Sequence, residues 1–425
     1  MFNGYFSSER FNEHKIRTKM SLQTLFKWTL CSLFIGIFLG LIGAGFYKAL
    51  AFVTGFREAN PDILFFLPLS GILIVFLYKL AGKQAGSGTN LVITAIQSNE
   101  DVPARVAPLI IVSTIITHLF GGSAGREGAA LQVGGSIGNF FAKLLKFDDK
   151  DTRIMIMCSM SACFSALFGT PIAAAIFSME VVSIGVMYYA ALVPCVLSSF
   201  IAEGIANYFG IPDTSFAVGI VPELSIETGF QTIVMSLLFA CASVLLCIAL
   251  HKSAKIYNYF FKNPYIKIIF AGALVVAMRY IFNTTDYLGA GAGIIAKSFI
   301  EQSAWYVFLL KILFTAATLG GGYKGGEIVP TLFVGATLGS FLSSIFGLPV
   351  GMCAACGMVS VFCGVTNCPI TSFILAVEMF GTGSLKYCTI AIALSYLLSG
   401  YYSLYNSQKI VYSKYKTTYI NRRSI

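Results

Sequence analysis

The chain has 425 residues, of which 56% are hydrophobic and only 11% are charged, with a net charge of +10. Its mean hydropathy is +0.78. This composition leaves too little polar surface for a soluble protein of this length, so it excludes the soluble globular classes. The sequence predicts an all-α polytopic membrane protein.

The predicted transmembrane elements are apolar runs long enough to cross or deeply enter a bilayer. In chain order they lie near residues 25–56, 62–81, 105–120, 154–181, 185–207, 230–251, 265–282, 305–319, 330–347, 350–380 and 387–405. Gly or Pro interrupts several of them. Such breaks are tolerated at membrane depth only where protein or a cavity satisfies the freed backbone groups. We therefore expect discontinuous and re-entrant helices.

Basic residues cluster at the two ends of the chain, outside the apolar runs. They are Arg10, Lys15, Arg17, Lys19 and Lys27 before the first run, and Lys409, Lys414, Lys416, Arg422 and Arg423 after the last. The positive-inside rule then places both termini in the cytoplasm, with an even number of crossings of the cell membrane. These charges indicate contact with anionic lipid headgroups rather than a nucleic-acid-binding surface.

Three motifs recur in the same order in both halves of the chain, which indicates duplication. Residues 86–92, 125–138 and 169–172 match residues 289–295, 326–339 and 367–370, at offsets of 203, 201 and 198. The repeats predict four parts, namely a cytoplasmic segment 1–28, membrane repeats 29–215 and 216–405, and a cytoplasmic tail 406–425. Repeat-built transporters bind their substrate at the repeat interface.

The second motif places adjacent charges, Arg126 and Glu127, inside a glycine-rich stretch between two apolar runs. A charge at membrane depth costs about 3 kcal/mol or more, so it normally faces an aqueous cavity or a transported ion. Glu127 is therefore a candidate functional residue, and a structural pair with Arg126 is the alternative. Glu180, Glu203, Glu378 and Lys311 are interpreted as structural pairs or interface charges.

No metal or cofactor site is predicted. The eleven cysteines lie mostly inside apolar runs and are interpreted as small core residues. His14, His118 and His251 form no ligand cluster, and His118 is interpreted as a packed, hydrogen-bonded histidine, with a proton path as the alternative. The chain also lacks a nucleophile–base constellation, so it is not expected to be an enzyme.

The ordered motifs resemble those of the CLC family of anion channels and proton-coupled anion antiporters over about residues 30–410. They are Gly86-Ser87-Gly88, Gly125-Arg126-Glu127-Gly128, the segment from Leu310-Lys311 through Gly320-Gly321-Gly322 to residues 325–330, and the late Tyr405. The resemblance implies the CLC-type fold of two inverted repeats with tilted and re-entrant broken helices. It also implies a homodimer with one anion pathway per subunit.

The resemblance also implies the site. Helix N-termini that converge on the anion would stabilise it without burying a full cation. The anion-binding positions are Ser87, Gly125, Gly128, Gly326, Ile328, Val329 and Tyr405, and the gating and proton-coupling residues are Glu127 and Glu327. Alternatives stay open for three of them: a helix N-cap for Ser87, an interfacial aromatic anchor for Tyr405, and a solvated carboxylate at a cavity mouth for Glu327.

Departures from the commonest family pattern indicate which anion the protein transports. Val181 stands where chloride/proton antiporters of the family carry an inward glutamate, and Glu327 resembles a glutamate of the fluoride-exporting branch. Ser87 is instead typical of chloride transporters, and Val329 stands where the fluoride branch often has Thr. The resulting hypothesis is fluoride export in exchange for protons. The alternative is a chloride channel or chloride/proton antiporter of the same fold, and an organic-solute transporter or intramembrane enzyme is remote.

Overall fold

The computed structural model describes residues 8–82, 88–98 and 100–425, with side chains from Thr18 onward. Within these ranges the chain forms sixteen α-helices and three short strands. In order they are α1 Ser8–Ala59, α2 Leu67–Ala81, α3 Thr89–Ser98, α4 Val106–Leu119, α5 Glu127–Leu144, α6 Asp149–Phe168, α7 Pro171–Glu180, β1 Ser183–Ile184, α8 Leu192–Tyr208, α9 Ile226–Phe260, α10 Pro264–Ile281, α11 Ala292–Lys297, α12 Val307–Gly321, α13 Ile328–Phe346, α14 Val350–Thr366, α15 Pro369–Phe380, α16 Leu385–Leu398, β2 Lys409–Tyr412 and β3 Tyr419–Arg423.

Helix length separates full spans from broken ones. Among the described residues, seven helical stretches are long and apolar enough to cross a bilayer, and shorter apolar helices of 10–17 residues accompany them. A 14-residue helix such as α4 extends only about 21 Å at a rise of about 1.5 Å per residue. It cannot cross a hydrocarbon layer of about 30 Å alone. The interrupted helices expected from the glycines and prolines are therefore present.

The third sequence motif is a helix break that occurs once in each repeat. Gly169 caps the C-terminus of α6 and Asn367 caps that of α14, and both residues adopt the left-handed conformation, with φ of 68° and 58°. Helices α7 and α15 then begin with Pro171 and Pro369. A Gly or Asn in this conformation terminates a helix, and proline suits the first position of the next one.

Glycines of the second motif bring pairs of helices into backbone contact. A Cβ on Gly134 of α5 would lie 2.4 Å from the carbonyl oxygen of Ser159 in α6. A Cβ on Gly335 of α13 would lie 2.3 Å from the carbonyl oxygen of Gly357 in α14. Small residues permit this close approach of helices in membranes, where packing drives their association. The same contact is thus made at equivalent positions in both repeats.

The two repeats meet at Gly125 and Gly326, which form an isolated antiparallel bridge. The N–H of Gly125 donates to the carbonyl of Gly326 at 2.8 Å, and the N–H of Gly326 donates back at 2.7 Å. These residues lie just before α5 and α13. A Cβ on Gly326 would lie 2.4 Å from the backbone nitrogen of Gly128, so no side chain fits there. The bridge fixes two helix N-termini side by side.

Two carboxylates exchange helix caps between the repeats. Glu180, at the end of α7, accepts hydrogen bonds from the backbone N–H groups of residues 370 and 371 at 3.0 and 2.8 Å. Glu378 of α15 accepts from the N–H groups of residues 172 and 173, both at 2.8 Å. The first N–H groups of a helix have no partner inside it, and a carboxylate stabilises its positive end. Both glutamates thus have the structural role that the sequence indicates.

The predicted cytoplasmic tail is folded against the helices. Strands β2 and β3 pair antiparallel, and β2 also pairs in parallel with β1, so that Ser183 lies opposite Lys409. Because β1 directly follows α7, this small sheet attaches the end of the chain to the first repeat. The hydrophobic pattern of the sequence does not predict these strands.

Loss of an exchanged cap should destabilise the protein. We expect Glu180→Ala and Glu378→Ala each to lower the free energy of unfolding by about 1–3 kcal/mol, because two N–H groups at a helix N-terminus lose their acceptor. Thermal unfolding of the purified protein in detergent would measure the change. Glu223→Ala, which removes an exposed carboxylate, is the matched control. Melting temperatures equal to that of the control would contradict the role of the caps.

A side chain at the bridge should prevent the repeats from meeting. We expect Gly326→Ala to lower the melting temperature and the yield of monodisperse protein, because the new Cβ would lie 2.4 Å from a backbone nitrogen. Size-exclusion chromatography and thermal unfolding would show the defect. Gly293→Ala, where the Cβ has open space within 4 Å, should behave as the unsubstituted protein. Equal behaviour of the two variants would refute the close approach.

Candidate functional site

Glu127 is the first residue of α5, and its side chain is only 1% exposed. Its carboxylate turns back over the helix N-terminus and accepts a hydrogen bond from the N–H of Arg126 at 3.1 Å. The other carboxylate oxygen lies 3.3 Å from Nε of Arg126, whose guanidinium also lies 4.2 Å from the ring centre of Tyr47. The pair with Arg126 is thus formed, and the carboxylate occupies the positive end of α5.

Glu327 is the N-cap residue of α13, one position earlier on its helix than Glu127 on α5, so the repeat match makes it the equivalent of Arg126. Its Oε2 atom is buried and has no hydrogen-bond partner among the described residues. A Cβ on Gly128 would lie 3.0 Å from this oxygen, so the carboxylate lies against the other repeat. An unsatisfied buried oxygen is costly. The residue as a whole is only partly buried, and its placement leaves this oxygen free for a proton or a bound species.

The remaining candidate positions at the helix N-termini surround the bridge. Gly125 and Gly326 form it, Gly128 contacts it, and Ile328 and Val329 begin α13. A Cβ on Gly125 would lie 2.9 Å from Cβ of Val329. The structure therefore brings together backbone N–H groups of both repeats and the carboxylates of the two candidate glutamates.

Tyr405 is buried, with only 1% of its surface exposed. Its hydroxyl has no hydrogen-bond partner among the described residues, and the residue lies within electrostatic range of Glu327. The hydroxyl of Ser403 accepts from the N–H of Tyr405 at 3.1 Å, and the hydroxyl of Ser424 donates to its carbonyl at 2.7 Å. This burial does not fit an interfacial anchor. The backbone is held on both sides while the hydroxyl stays available.

Gln408 ties this segment to both repeats. It belongs to residues 400–425, which we call the C-terminal strap, and it is fully buried. Its Nε2 donates to the carbonyls of Val181 and Thr366 at 3.0 and 2.7 Å. Its Oε1 accepts from Nδ2 of Asn367 and from the hydroxyl of Ser403, at 3.1 and 2.9 Å. All four hydrogen-bonding positions of the amide are used, and Ser403 in turn holds the N–H of Tyr405.

The strap is also attached to α3, the first-repeat helix that follows the Gly-Ser-Gly motif. Oδ1 of Asn90 accepts from the N–H of Ser407 at 3.0 Å. Nε2 of Gln97 donates to the carbonyl of Ser407 at 2.9 Å and to that of Val182 at 2.7 Å. Sequence reasoning does not single out Gln97 or Gln408. The one feature of the sequence that could have identified these two residues is that each is a polar amide next to an apolar run.

Ser87 lies outside the described residues. Gly88, which follows it, adopts the left-handed conformation with φ of 63°. The hydroxyl of Thr89 then donates to the carbonyl of Gly128 at 3.3 Å. Helix α3 therefore begins against the first turn of α5, beside the bridge.

A cavity of about 600 Å³ lies next to Arg126 and is also lined by His118, Arg57, Lys297 and Asp286. His118 is packed as expected, since its Nδ1 lies 2.9 Å from the carbonyl of Thr114. Arg57 donates to the carbonyl of His118 at 3.1 Å. The cavity is lined by more basic than acidic side chains, and Arg126 is the member of the Arg126–Glu127 pair that it reaches.

The described residues contain no group of three or more His, Cys, Asp or Glu side chains that could hold a metal ion. Cys353 and Cys356 have a C-x-x-C spacing, but both are buried within α14. The sulfur of Cys356 lies 3.7 Å from that of Cys388, and no described cysteine is in a disulfide. These thiols are part of the helix packing.

Similarity to known proteins identifies the family of this chain. The family profile described as "Voltage gated chloride channel" matches residues 70–400. The chain is 33% identical over 401 residues to the "Chloride/fluoride channel protein" of Pseudomonas syringae pv. tomato, covering 92% of this chain and 88% of that protein. It is 24% identical over 379 residues to the "H(+)/Cl(-) exchange transporter ClcA" of Citrobacter koseri, covering 81% and 79%.

Solved structures show the same fold. One described as "a CLC-type fluoride/proton antiporter" has a TM-score of 0.87 and 34% identity, covering 90% of this chain and 98% of that chain. Another, "a slow cyanobacterial Cl-/H+ antiporter", has a TM-score of 0.74 and 18% identity, covering 88% and 94%. The all-α polytopic fold and the family predicted from the sequence are confirmed. This chain is a multi-pass membrane protein that belongs to the CLC family.

Proposed function

We propose that this chain is a secondary active transporter that exports fluoride in exchange for protons. One observation carries the proposal: two glutamates, one from each repeat, flank the Gly125–Gly326 bridge where two helix N-termini meet. The relatives described as a chloride/fluoride channel protein and a fluoride/proton antiporter support the choice of ion. No catalytic group, cofactor or metal takes part.

Anion binding follows from the helix N-termini. The free N–H groups at the start of α5 and α13 carry partial positive charge, equivalent to roughly half a charge per helix. The anion is held by the residues around the bridge, namely Ser87, Gly125, Gly128, Gly326, Ile328 and Val329, and by the hydroxyl of Tyr405. Fluoride is small and strongly hydrated, and short hydrogen bonds from such donors replace its lost water.

Proton coupling follows from competition at the same place. The carboxylate of Glu127 already accepts a backbone hydrogen bond at the N-terminus of α5, so it occupies a position that would also suit an anion. When a proton neutralises Glu127, the carboxyl group leaves and the anion enters. The free Oε2 atom of Glu327 assists by taking up a proton or by donating one in a hydrogen bond to fluoride.

The energetics favour exchange over passive flow. One charge moving across 100 mV gains about 2.3 kcal/mol, which supports a gradient of roughly fifty-fold. One-for-one exchange of an outgoing fluoride for an incoming proton moves two charges and adds about 1.4 kcal/mol per pH unit. The total of about 6 kcal/mol supports a gradient of roughly ten-thousandfold. Such a gradient suits removal of a toxic anion from a cell.

The proposal includes the assembly and its setting. The protein acts as a homodimer in the cell membrane, with both termini cytoplasmic and with repeats 29–215 and 216–405. Apolar side chains that project from α8 and α15, among them Phe200 and Ile370, are 46% and 48% exposed. Such surfaces suit burial by a second subunit or by lipid.

The alternative is a chloride channel or a chloride/proton antiporter. Ser87, a residue typical of chloride transporters in the family, favours it, as does the similarity to the H(+)/Cl(-) exchange transporters. Competition between the two anions separates these functions. Chloride that competes with fluoride at equal concentration supports the alternative.

Reconstituted protein should drive protons uphill when fluoride leaves liposomes. We expect fluoride efflux with proton uptake, little chloride transport, and loss of transport or coupling in Glu127→Gln and Glu327→Gln, because neither amide can take up a proton. A fluoride electrode and a pH dye would record both fluxes. Glu223→Gln, at an exposed carboxylate, serves as the matched control. Rapid chloride flux without proton movement would rule out the proposed function.

Gln408→Leu should loosen the coupling. Without its amide, the carbonyls of Val181 and Thr366 lose their donor and the strap no longer fixes Tyr405, so we expect fewer protons per fluoride than in the unsubstituted protein. The ratio of the two fluxes is independent of how much protein is folded. Gln302→Leu, at an exposed position, is the control. An unchanged ratio would show that Gln408 has no part in coupling.

A further inference from the structure

A second cavity, of about 570 Å³, lies between α2, α10 and the end of α12. It is lined by Ile74, Val75, Tyr78, Lys79, Gly82, Pro264, Lys267, Gly321, Gly322 and Lys324. Three of these side chains are lysines and none is acidic. The cavity therefore has a positively charged lining between apolar walls. It is separate from the cavity beside Arg126.

Of the three lysines, Lys324 lies nearest in the sequence to Glu327. Its ammonium lies 4.3 Å from the ring centre of Tyr78 and has no hydrogen-bond acceptor among the described residues. Its backbone N–H is held by the hydroxyl of Thr117 at 3.3 Å. Lys324 therefore has a fixed backbone and a side chain without a counter-charge in contact.

The other charges around the cavity do not neutralise Lys324. Nζ of Lys267 donates to the neutral amide oxygen of Asn258 at 3.0 Å, and Lys79 is exposed. Arg105 adds a further cation next to Gly82, since its Nη2 would lie 3.3 Å from a Cβ placed on Gly82. A cluster of cations at membrane depth requires an anion or water nearby.

The cavity lies beside the proposed site. Lys324 precedes Glu327 by three residues, and the two side chains interact electrostatically. Helices α1 and α2 are consecutive spans joined near Asn60, so the end of α2 at Gly82 lies on the same side of the membrane as the start of α1. With a cytoplasmic N-terminus, the cavity faces the cytoplasm.

We propose that this cavity, which we call the basic antechamber, binds a small halide anion on the cytoplasmic side before it passes Lys324 to the bridge. The inference rests on the proposed function, in which that anion is fluoride. Clefts of one charge sign with low-dielectric walls raise the local concentration of the opposite ion by about tenfold or more. The ammonium groups provide attraction without the closely fitted donors of a tight site, so the anion is released readily.

The antechamber should set the apparent affinity for cytoplasmic anion and leave the coupling unchanged. We expect Lys324→Gln and Lys267→Gln to raise the apparent KM for fluoride by about three- to tenfold, with unchanged maximal rate and unchanged protons per fluoride. Inverted membrane vesicles, whose cytoplasmic face is outward, allow fluoride to be titrated directly. Raising the ionic strength should raise the KM of the unsubstituted protein and have little effect on a variant that carries both substitutions.

Two further variants separate this role from a folding defect. Lys324→Arg keeps the charge and should retain the original KM, whereas a packing defect would not be rescued. Lys262→Gln removes an exposed cation at the same end of α10 but outside the cavity and should leave the KM unchanged. An unaltered KM in Lys324→Gln, or a raised KM in Lys324→Arg, would overturn the proposal.

The remaining outcomes identify another occupant or another ion. An anionic phospholipid that co-purifies with the protein and is lost in Lys324→Gln, with the fluoride KM unchanged, would assign the cavity to a lipid phosphate and reject the antechamber. If the protein carries chloride instead of fluoride, the same titration with chloride tests the antechamber. Failure of the proposed function is thus distinguished from failure of this inference.

Discussion

The structure depends on one constraint, which is that backbone N–H groups at membrane depth need partners. Broken helices create such groups in the middle of the bilayer, and the two repeats satisfy them for each other. Gly125 and Gly326 pair directly, and Glu180 and Glu378 exchange caps between α7 and α15. The N–H groups that remain at the start of α5 and α13 are available to an anion. Helix breaks that need capping at α7 and α15 thus provide the proposed binding site at α5 and α13.

Close backbone packing explains why glycines occupy the bridge and the helix contacts. The bridge leaves no room for a Cβ on Gly326, and the helix pairs α5–α6 and α13–α14 touch at glycines in equivalent positions. Rigid contacts of this kind hold the two helix N-termini in place, and in the proposed function no cationic side chain contacts the anion there. Binding can therefore rest on partial charges, which permit release as well as capture.

Full charges lie on either side of the bridge. Arg57, Arg126 and Lys297 line one cavity, and Lys79, Lys267 and Lys324 line the other. Between them stand Glu127, paired with Arg126, and Glu327, with one unpaired buried oxygen. In the proposed function, these cations attract the anion from both sides, and the two carboxylates compete with it or carry protons. The C-terminal strap holds Tyr405 within electrostatic range of Glu327.

The sequence by itself determined the membrane class, the repeat and Glu127 as a candidate, because hydropathy, motif order and charges at membrane depth are local properties of the chain. Glu327 became a candidate only through the resemblance to the family. The breaks before α7 and α15 were expected only as Gly or Pro interruptions of the apolar runs 154–181 and 350–380, although Gly169, Asn367 and the prolines act within a few residues. Only the tertiary structure decided which groups meet. The caps from Glu180 and Glu378 join residues about 200 positions apart, the amide of Gln408 joins both repeats, and Lys324 shares a cavity with Lys267. Such contacts depend on how helices pack against one another, and no periodicity along the chain encodes them.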